Sequence, residues 1–274
     1  MIKHVPEDMT VTVAAEVTLA ALQAELAKRG QWLPIDPPAA ETLTVRALLD
    51  TNASGPRRHG FGTIREHLLG IQVKLPDGRV IKSGGKVVKN VAGYDLGKLF
   101  VGAQGTLGTI LEATFKLRPM PEAEQCVQAR CASLDQAGAL VEAIVASELA
   151  PVVFDLVSPA TVVLGFAGSR EEVDWQLAKA RDRGLTEPAT LAYDREFPQA
   201  LSVLPSKLIE TIQQLGLANP PLHPSGGGES GFVARAGNGV VHFRSPGVSP
   251  VLPTVTGGTP VLRLQQRLLE AFGG

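Results

Sequence analysis

The residues best suited to chemistry in this sequence are small ones. Gly102-Ala103-Gln104-Gly105-Thr106-Leu107-Gly108 sets three glycines three apart, and backbone without Cβ atoms can approach a flat or anionic ligand closely. Exposed amides in such a loop bind phosphate or the edge of a heterocycle. The same spacing also serves tight turns between a helix and a strand, and spacing alone favours the turns. A second run, Thr51-Asn52-Ala53-Ser54-Gly55-Pro56, offers a side-chain amide and hydroxyls. These can satisfy pyrophosphate, ribose and ring acceptors without crowding them. Gly226-Gly227-Gly228-Glu229-Ser230-Gly231 fits G-x-G-x-x-G by letter. It follows a proline-rich loop and precedes a strand, the reverse of the strand-to-helix context of a dinucleotide turn. The histidines at 4, 59, 67, 223 and 242 form no i, i+4 pair, and no G-x-S-x-G elbow is present. Cys126 and Cys131 read as small core residues. No pair of residues reads as an acid–base couple, so the catalytic residues stay unassigned and no metal site is expected.

Elements must position those loops. Residues 10–17 are rich in β-branched side chains and read as a strand. Thr18 caps a helix that carries Leu19, Leu22 and Leu26 on one face and ends at Lys28, Arg29 and Gly30. Pro34-Ile35-Asp36-Pro37-Pro38 can be neither helix nor central strand. A second helix is expected near 44–49. Strands at 69–75 and 79–83 flank Pro76-Asp77-Gly78, a hairpin signal, and another strand runs from Thr109 to Leu117. Pro119-Met120-Pro121 marks a boundary. Beyond it, a strand bearing both cysteines leads to helices started by Ser133 with Gln136 and by Ser169 with Glu172. Short strands at 152–157 and 161–166 lie between those helices, the order of a ferredoxin-like α+β unit. Strands at 232–236 and 240–244 bracket Gly237-Asn238-Gly239, and a last helix is expected near 260–271.

Composition narrows the class. Charges nearly cancel, 26 Lys+Arg against 27 Asp+Glu in 274 residues, so no basic field draws the chain to nucleic acid or anionic lipid. Apolar residues make up 44%, enough for a real core. No apolar run approaches the roughly 18 residues of a spanning helix. The opening Met-Ile-Lys-His-Val-Pro-Glu-Asp is expected not to be a secretory signal, and two cysteines fit a reduced cytoplasm.

The letters of the glycine stretch carry more than their spacing. The run from Lys89-Asn90-Val91-Ala92-Gly93-Tyr94-Asp95-Leu96 to Gly102-Ala103-Gln104-Gly105-Thr106-Leu107-Gly108-Thr109-Ile110 closely resembles a signature of FAD-linked oxidases with the vanillyl-alcohol-oxidase (PCMH-type) flavin fold. Within that family it is most similar to the smaller, FAD-binding subunit of glycolate oxidase. Leu33–Pro38 resembles the loop before the flavin site, Thr51–Arg58 a second ligand loop, and Gly62-Thr63-Ile64-Arg65-Glu66-His67 the segment after it. The likeness is close over about residues 5–120 and looser beyond, where Ala234–Gly239 and the closing helix fit the same subunit.

What the resemblance implies is a set of expectations. The fold is α+β, a partial PCMH-type FAD-binding domain over 1–119 followed by a ferredoxin-like cap over 120–274. FAD contacts come from Asn52, Ala53, Ser54, Gly55, Gly62, Thr63, Gly105, Thr106, Gly108 and Ile110. Turn capping explains Ser54 and Thr63 equally well, and Asn90, Tyr94 and Asp95 read as structural, with Asp95 capping a helix over 96–100. The implied function is that of an FAD-binding subunit of a complex that oxidises a 2-hydroxy acid. Its partners would be a larger homologous flavin subunit and an iron–sulfur subunit, in the cytoplasm or at the inner face of the membrane through that complex. A scaffold subunit without cofactor and a stand-alone FAD oxidase are the competing readings.

Three departures from the family touch the flavin. The family's glycine-rich pyrophosphate loop lies in a subdomain before the first strand seen here. Thr44-Val45-Arg46-Ala47 has Arg46 and Ala47 where the family has a glycine pair, although Arg46 could itself bind phosphate. The sequence stops at Glu270-Ala271-Phe272-Gly273-Gly274, before the usual Asn-Pro-Gly-type ending. FAD is therefore expected to bind weakly. At Arg235–His242, Arg235 and Asn238 replace a histidine and an acid of the larger paralogues' metal segment, which leaves His242 a poor metal ligand.

Overall fold

A computed structural model of the 274-residue chain describes residues 1–85, 96–191, 197, 199–217 and 231–244. Their Cα positions form two compact units. The described part of the first is 1–54 with 62–120, and that of the second is 55–61 with the residues beyond 120. In chain order the first unit holds β1 (Ile2–Val5), β2 (Thr10–Ala14), α1 (Leu19–Ala27), β3 (Gln31–Trp32) and α2 (Val45–Thr51). After α3 (Arg58–Phe61), which belongs to the second unit, it continues with α4 (Ile64–His67), β4 (Leu68–Lys74), β5 (Val80–Gly84), α5 (Gly97–Phe100), β6 (Thr109–Lys116) and β7 (Arg118–Pro119).

Five strands pair in the order β1-β2-β6-β4-β5, every neighbour antiparallel. The strand after the glycine loop therefore lies beside the one at 68–74, as expected, and the sheet is not a parallel Rossmann sheet. Register decides the buried face. Val11 sits opposite Phe115, Val13 opposite Ala113, and Ala113 opposite Ile71. These side chains meet Leu19, Leu22 and Leu26 of α1 and Val45, Leu48 and Leu49 of α2 in one core. Each Val, Leu, Ile or Phe among them, fully buried, contributes about 1.5–3 kcal/mol. Both helices start where a threonine satisfies a free amide. Thr18 accepts from Ala21 N–H and Thr44 from Ala47 N–H. The opposite face is polar, and Thr12 and Thr114 share a hydrogen bond of 2.9 Å across strands. The Pro76-Asp77-Gly78 turn closes β4 onto β5, with Gly78 at φ +87°.

The second unit is a seven-stranded sheet with three longer helices on one face. Its elements are β8 (Ala123–Arg130), α6 (Leu134–Val145), β9 (Val153–Val157), β10 (Thr161–Gly168), α7 (Arg170–Arg181), β11 (Glu187–Pro188), β12 (Gln199–Ser202), α8 (Leu208–Gln214), β13 (Gly231–Arg235) and β14 (Val240–Arg244). The first four strands run β11-β8-β10-β9, which is the 4-1-3-2 arrangement of a ferredoxin-like unit. β13, β14 and β12 then extend the sheet from β9. Ser133 and Ser169 cap α6 and α7, and Glu172 closes a capping box at Ser169, whereas Gln136 accepts from the Ala132 amide and leaves the box expected at Ser133 open. Leu134, Ile144, Val173, Leu177 and Ile212 pack on Leu156, Leu164, Phe166, Phe232 and Val241.

Two details differ from the sequence reading. The segment at 55–61 joins the second unit: Gly60 donates to the Val152 carbonyl at 3.1 Å. Cys126 and Cys131 are half-buried and form no disulfide, and Cys131 packs against the edge of the second core rather than inside it. The final helix, Asp95 as a cap, and Gly226–Ser230 fall outside the described residues.

Candidate functional site

Among the expected cofactor contacts, Asn52, Ala53, Ser54, Gly105 and Thr106 come together in the first unit at the C-terminal end of α2. Thr44 starts that helix and Asn52 stops it, its backbone turned to φ 51°. Asparagine tolerates this left-handed conformation better than most residues. The glycine loop then folds back onto the helix end. Gly102 N–H donates to the Leu49 carbonyl at 2.8 Å and Gln104 N–H to the Asp50 carbonyl at 2.9 Å. Gly105 N–H bonds the Asp50 carboxylate. The carbonyls a helix leaves unsatisfied are thus capped by the loop.

Most of the loop's remaining amides are also engaged. Ala103 donates to Phe100, Thr106 to Ala103 and Gly108 to Gly105, and the Thr106 hydroxyl reaches the Ala103 carbonyl at 2.6 Å. The turn reading of the glycines accounts for these bonds. Two features go beyond a turn. Asn52 Oδ1 is buried with no hydrogen-bond partner, and an acceptor in that state costs free energy until a donor meets it. Gly105, at φ +74°, is exposed, and a Cβ built there would meet nothing nearer than Asp50 Oδ2 at 4.0 Å.

The other expected contacts lie elsewhere. Gly62 and Thr63 lead into α4, which packs on α2. Thr63 is committed to its cap: its hydroxyl meets Glu66 Oε2 at 2.8 Å and its N–H bonds the same oxygen. Gly62 leaves no room for a side chain, since a Cβ would lie 2.6 Å from Glu66 Oε2. Gly55 is buried in the second unit. Ile110 has its side chain in the core, at 1% exposure, because the register shifts beside it. Gly108 is wedged against β4, where a Cβ would meet Val73 Cγ1 at 2.7 Å and the Lys74 carbonyl at 2.8 Å. Arg46 does not offer itself to a phosphate. Its Nε donates to the Ile110 carbonyl at 3.1 Å and its Nη2 pairs with Glu16.

Asp50 escapes sequence reasoning altogether. Burial pushes its carboxyl above the usual range, and Arg46 and the Gly105 amide pull it partly back. Its only signal in the sequence is an acid in the last turn of a helix, where the helix dipole disfavours negative charge.

The second unit holds two further polar groups of note. Asp155 and Arg235 face each other on β9 and β13, with Nη1 and Oδ2 at 2.5 Å and side chains 2% and 4% exposed. An acid inside the apolar run Val152-Val153-Phe154-Asp155-Leu156-Val157 was the legible sign of such a pair. His59 of α3 stands edge-on to Phe154, 5.7 Å between centroids, and Gly237 leaves room for its ring. Burial lowers the His59 pKa below 6.5, so the folded state holds the ring neutral while the unfolded chain protonates near 6.5. The His59 contribution to stability is therefore full above that pH and is lost as pH falls. Thermal unfolding followed from pH 7.5 to pH 5 should show a falling midpoint, and His59→Gln should flatten that dependence. An unchanged slope in the variant would rule the histidine out as its source.

Among the described residues no group of three or more His, Cys, Asp or Glu is placed to hold a metal ion. No helix among them is long and apolar enough to cross a membrane.

Comparison with known proteins shows what this chain is similar to. Residues 1–84 match the family described as FAD binding domain. The glycolate oxidase subunit GlcD of Bacillus subtilis is 34% identical over 158 residues, 58% of this chain and 34% of that protein. The glycolate oxidase subunit GlcE of Escherichia coli is 36% identical over 124 residues, 45% of this chain and 35% of that protein. The D-lactate dehydrogenase of Archaeoglobus fulgidus is 44% identical over 105 residues, 38% of this chain and 24% of that protein. The chain thus spans about a third or less of the length of these relatives. A solved structure of alkyldihydroxyacetonephosphate synthase superposes with a TM-score of 0.66 at 17% identity, covering 100% of this chain and 61% of that one. At that identity the likeness speaks for the fold alone. Residues 1–84 thus match an FAD binding domain, which makes FAD the matching cofactor, and the chain has an α+β fold like that of the alkyldihydroxyacetonephosphate synthase.

Proposed function

We propose that this chain is an FAD-binding subunit of an oxidoreductase that removes two electrons from a 2-hydroxy acid. It works beside a larger homologous flavin subunit and an iron–sulfur subunit. The observation that carries the reading is the match to glycolate oxidase subunits and to a D-lactate dehydrogenase at 34–44% identity. Glycolate and D-lactate share one reacting unit, a carboxylate with a hydroxyl on the adjacent carbon. FAD, when bound, supplies the ring that accepts a hydride equivalent from such a carbon.

In this reading residues 1–119 are the flavin domain and the residues beyond are a cap. Asn52 offers Oδ1 as an acceptor to a donor on the cofactor, the left-handed glycine at 105 admits a flat or charged group, and Ala53 and Ser54 keep the neighbouring wall small. Thr63 and Glu66 hold the start of α4 in place. Arg46 keeps the glycine loop and α2 in register through the Ile110 carbonyl. The competing reading, a scaffold that keeps the flavin fold without cofactor, draws support from the internal hydrogen bonds of the glycine-loop amides.

Titrating the purified chain with FAD and following flavin fluorescence separates the two. The flavoprotein reading expects saturable binding, and bleaching of the visible flavin band when D-lactate or glycolate is added anaerobically with the larger subunit present. Absence of FAD binding both alone and in the complex rejects it in favour of the scaffold.

A further inference from the structure

The glycine loop contains its own anion. Exposed Gly105 lies against the Asp50 carboxylate, which accepts from its N–H and whose Oδ2 is 4.0 Å from where a Cβ on Gly105 would stand, and Gln104 N–H donates to the Asp50 backbone carbonyl at 2.9 Å. Arg46, whose charge acts on Asp50, is already engaged, with its guanidinium on Glu16 and on the Ile110 carbonyl. The C-terminal end of α2 adds the negative pole of a helix. A phosphate arriving here meets a carboxylate, a helix C-terminus and an arginine already engaged.

We infer that Asp50 is an internal competitor for the phosphate-bearing part of the cofactor: its carboxylate occupies the Gly105 amide and selects against anionic ligands until it is displaced. This rests on the reading of the chain as an FAD-binding subunit and adds to it a residue that sets affinity. Asp50 is a gate on binding and takes no part in electron transfer. A neutral flavin lacking phosphate is indifferent to it, so the effect depends on ligand charge.

The test uses three ligands and three forms of the full chain. FAD, ADP and riboflavin are titrated against the wild type, Asp50→Ala and Asp50→Asn, by flavin fluorescence quenching for the flavins and by calorimetry for ADP. Asp50→Ala removes the charge and frees the amide, whereas Asp50→Asn removes the charge and keeps an acceptor of the same shape. The expected result is that Asp50→Ala tightens FAD and ADP about tenfold or more, the scale of relieving one close like-charge contact in a half-exposed site. Asp50→Asn gives a smaller gain in the same direction, and riboflavin binds all three forms alike. Circular dichroism of each variant establishes that it is folded, and the asparagine form carries the test if the alanine form is not. Equal or weaker FAD binding by the variants, with riboflavin still bound, overturns the gate while leaving the flavin reading intact. Failure of every form to bind either flavin overturns both.

Discussion

Arg235→Leu should lower the stability of the second unit by about 3–5 kcal/mol, because it leaves the Asp155 carboxylate buried without its arginine. The two side chains are 4% and 2% exposed and lie on paired strands, Arg235 opposite Asp155 across β13 and β9. Against a typical total of about 5–15 kcal/mol, such a loss threatens folding at physiological temperature. The cost comes from stranding a charge and not from the net worth of the pair. Forming the ion pair recovers little more than the desolvation of its members, and well-packed apolar substitutes are often as stable. The double variant Asp155→Leu with Arg235→Leu should therefore be more stable than either single variant. Urea denaturation of the four forms supplies the cycle, with the midpoint shift and slope read separately. A single-variant loss below about 1 kcal/mol, the scale of an exposed ion pair, would contradict the burial seen here.

That pair illustrates which parts of the molecule were legible in the sequence. Local signals were read well because their causes are local. Thr18 and Thr44 sit three residues before the amides they cap, Asp77-Gly78 closes a hairpin of adjacent strands, and Ser169 finds Glu172 within one turn. The strand and helix order after 120 named the ferredoxin-like part, since short connections leave few topologies. The strands at 232–236 and 240–244 were read, but β12 was not, and neither was the joining of all three to the same sheet, because β13 pairs with β9 from more than 70 residues away. Asp155 and Arg235 are 80 residues apart, and no local pattern links them. The excursion of 55–61 into the second unit has a similar origin. Its contacts with Val152, Phe154 and Gly237 are long-range, and nothing in Gly55-Pro56-Arg57-Arg58 announces them. Within the candidate site the small residues were found by resemblance and Asp50 was not. Its role depends on a loop that begins about fifty residues later in the chain.

The three glycines of the loop, alike in the sequence, should separate under substitution. Gly108→Ala is expected to cost about 3–5 kcal/mol and to unfold or loosen the first unit. Its backbone is at φ +154°, a region closed to most side chains, and the added carbon would fall 2.7 Å from Val73 Cγ1 and 2.8 Å from the Lys74 carbonyl. One of those neighbours is backbone in a paired strand, so relief requires β4 to move from β6, which are hydrogen-bonded along most of their length. Gly105→Ala meets open space at φ +74° and bears only the left-handed penalty of about 1–2 kcal/mol. Its methyl group instead stands at the exposed turn beside Asp50, where a ligand would have to approach. Thermal unfolding and FAD titration of the two variants therefore give opposite patterns. Gly108→Ala loses stability first and binding only as a consequence, whereas Gly105→Ala stays folded and loses affinity. If Gly105→Ala binds FAD as the wild type does, the loop is a turn and the cofactor lies elsewhere. Should Gly108→Ala prove as stable as the wild type, the close packing of this loop against β4 is wrong.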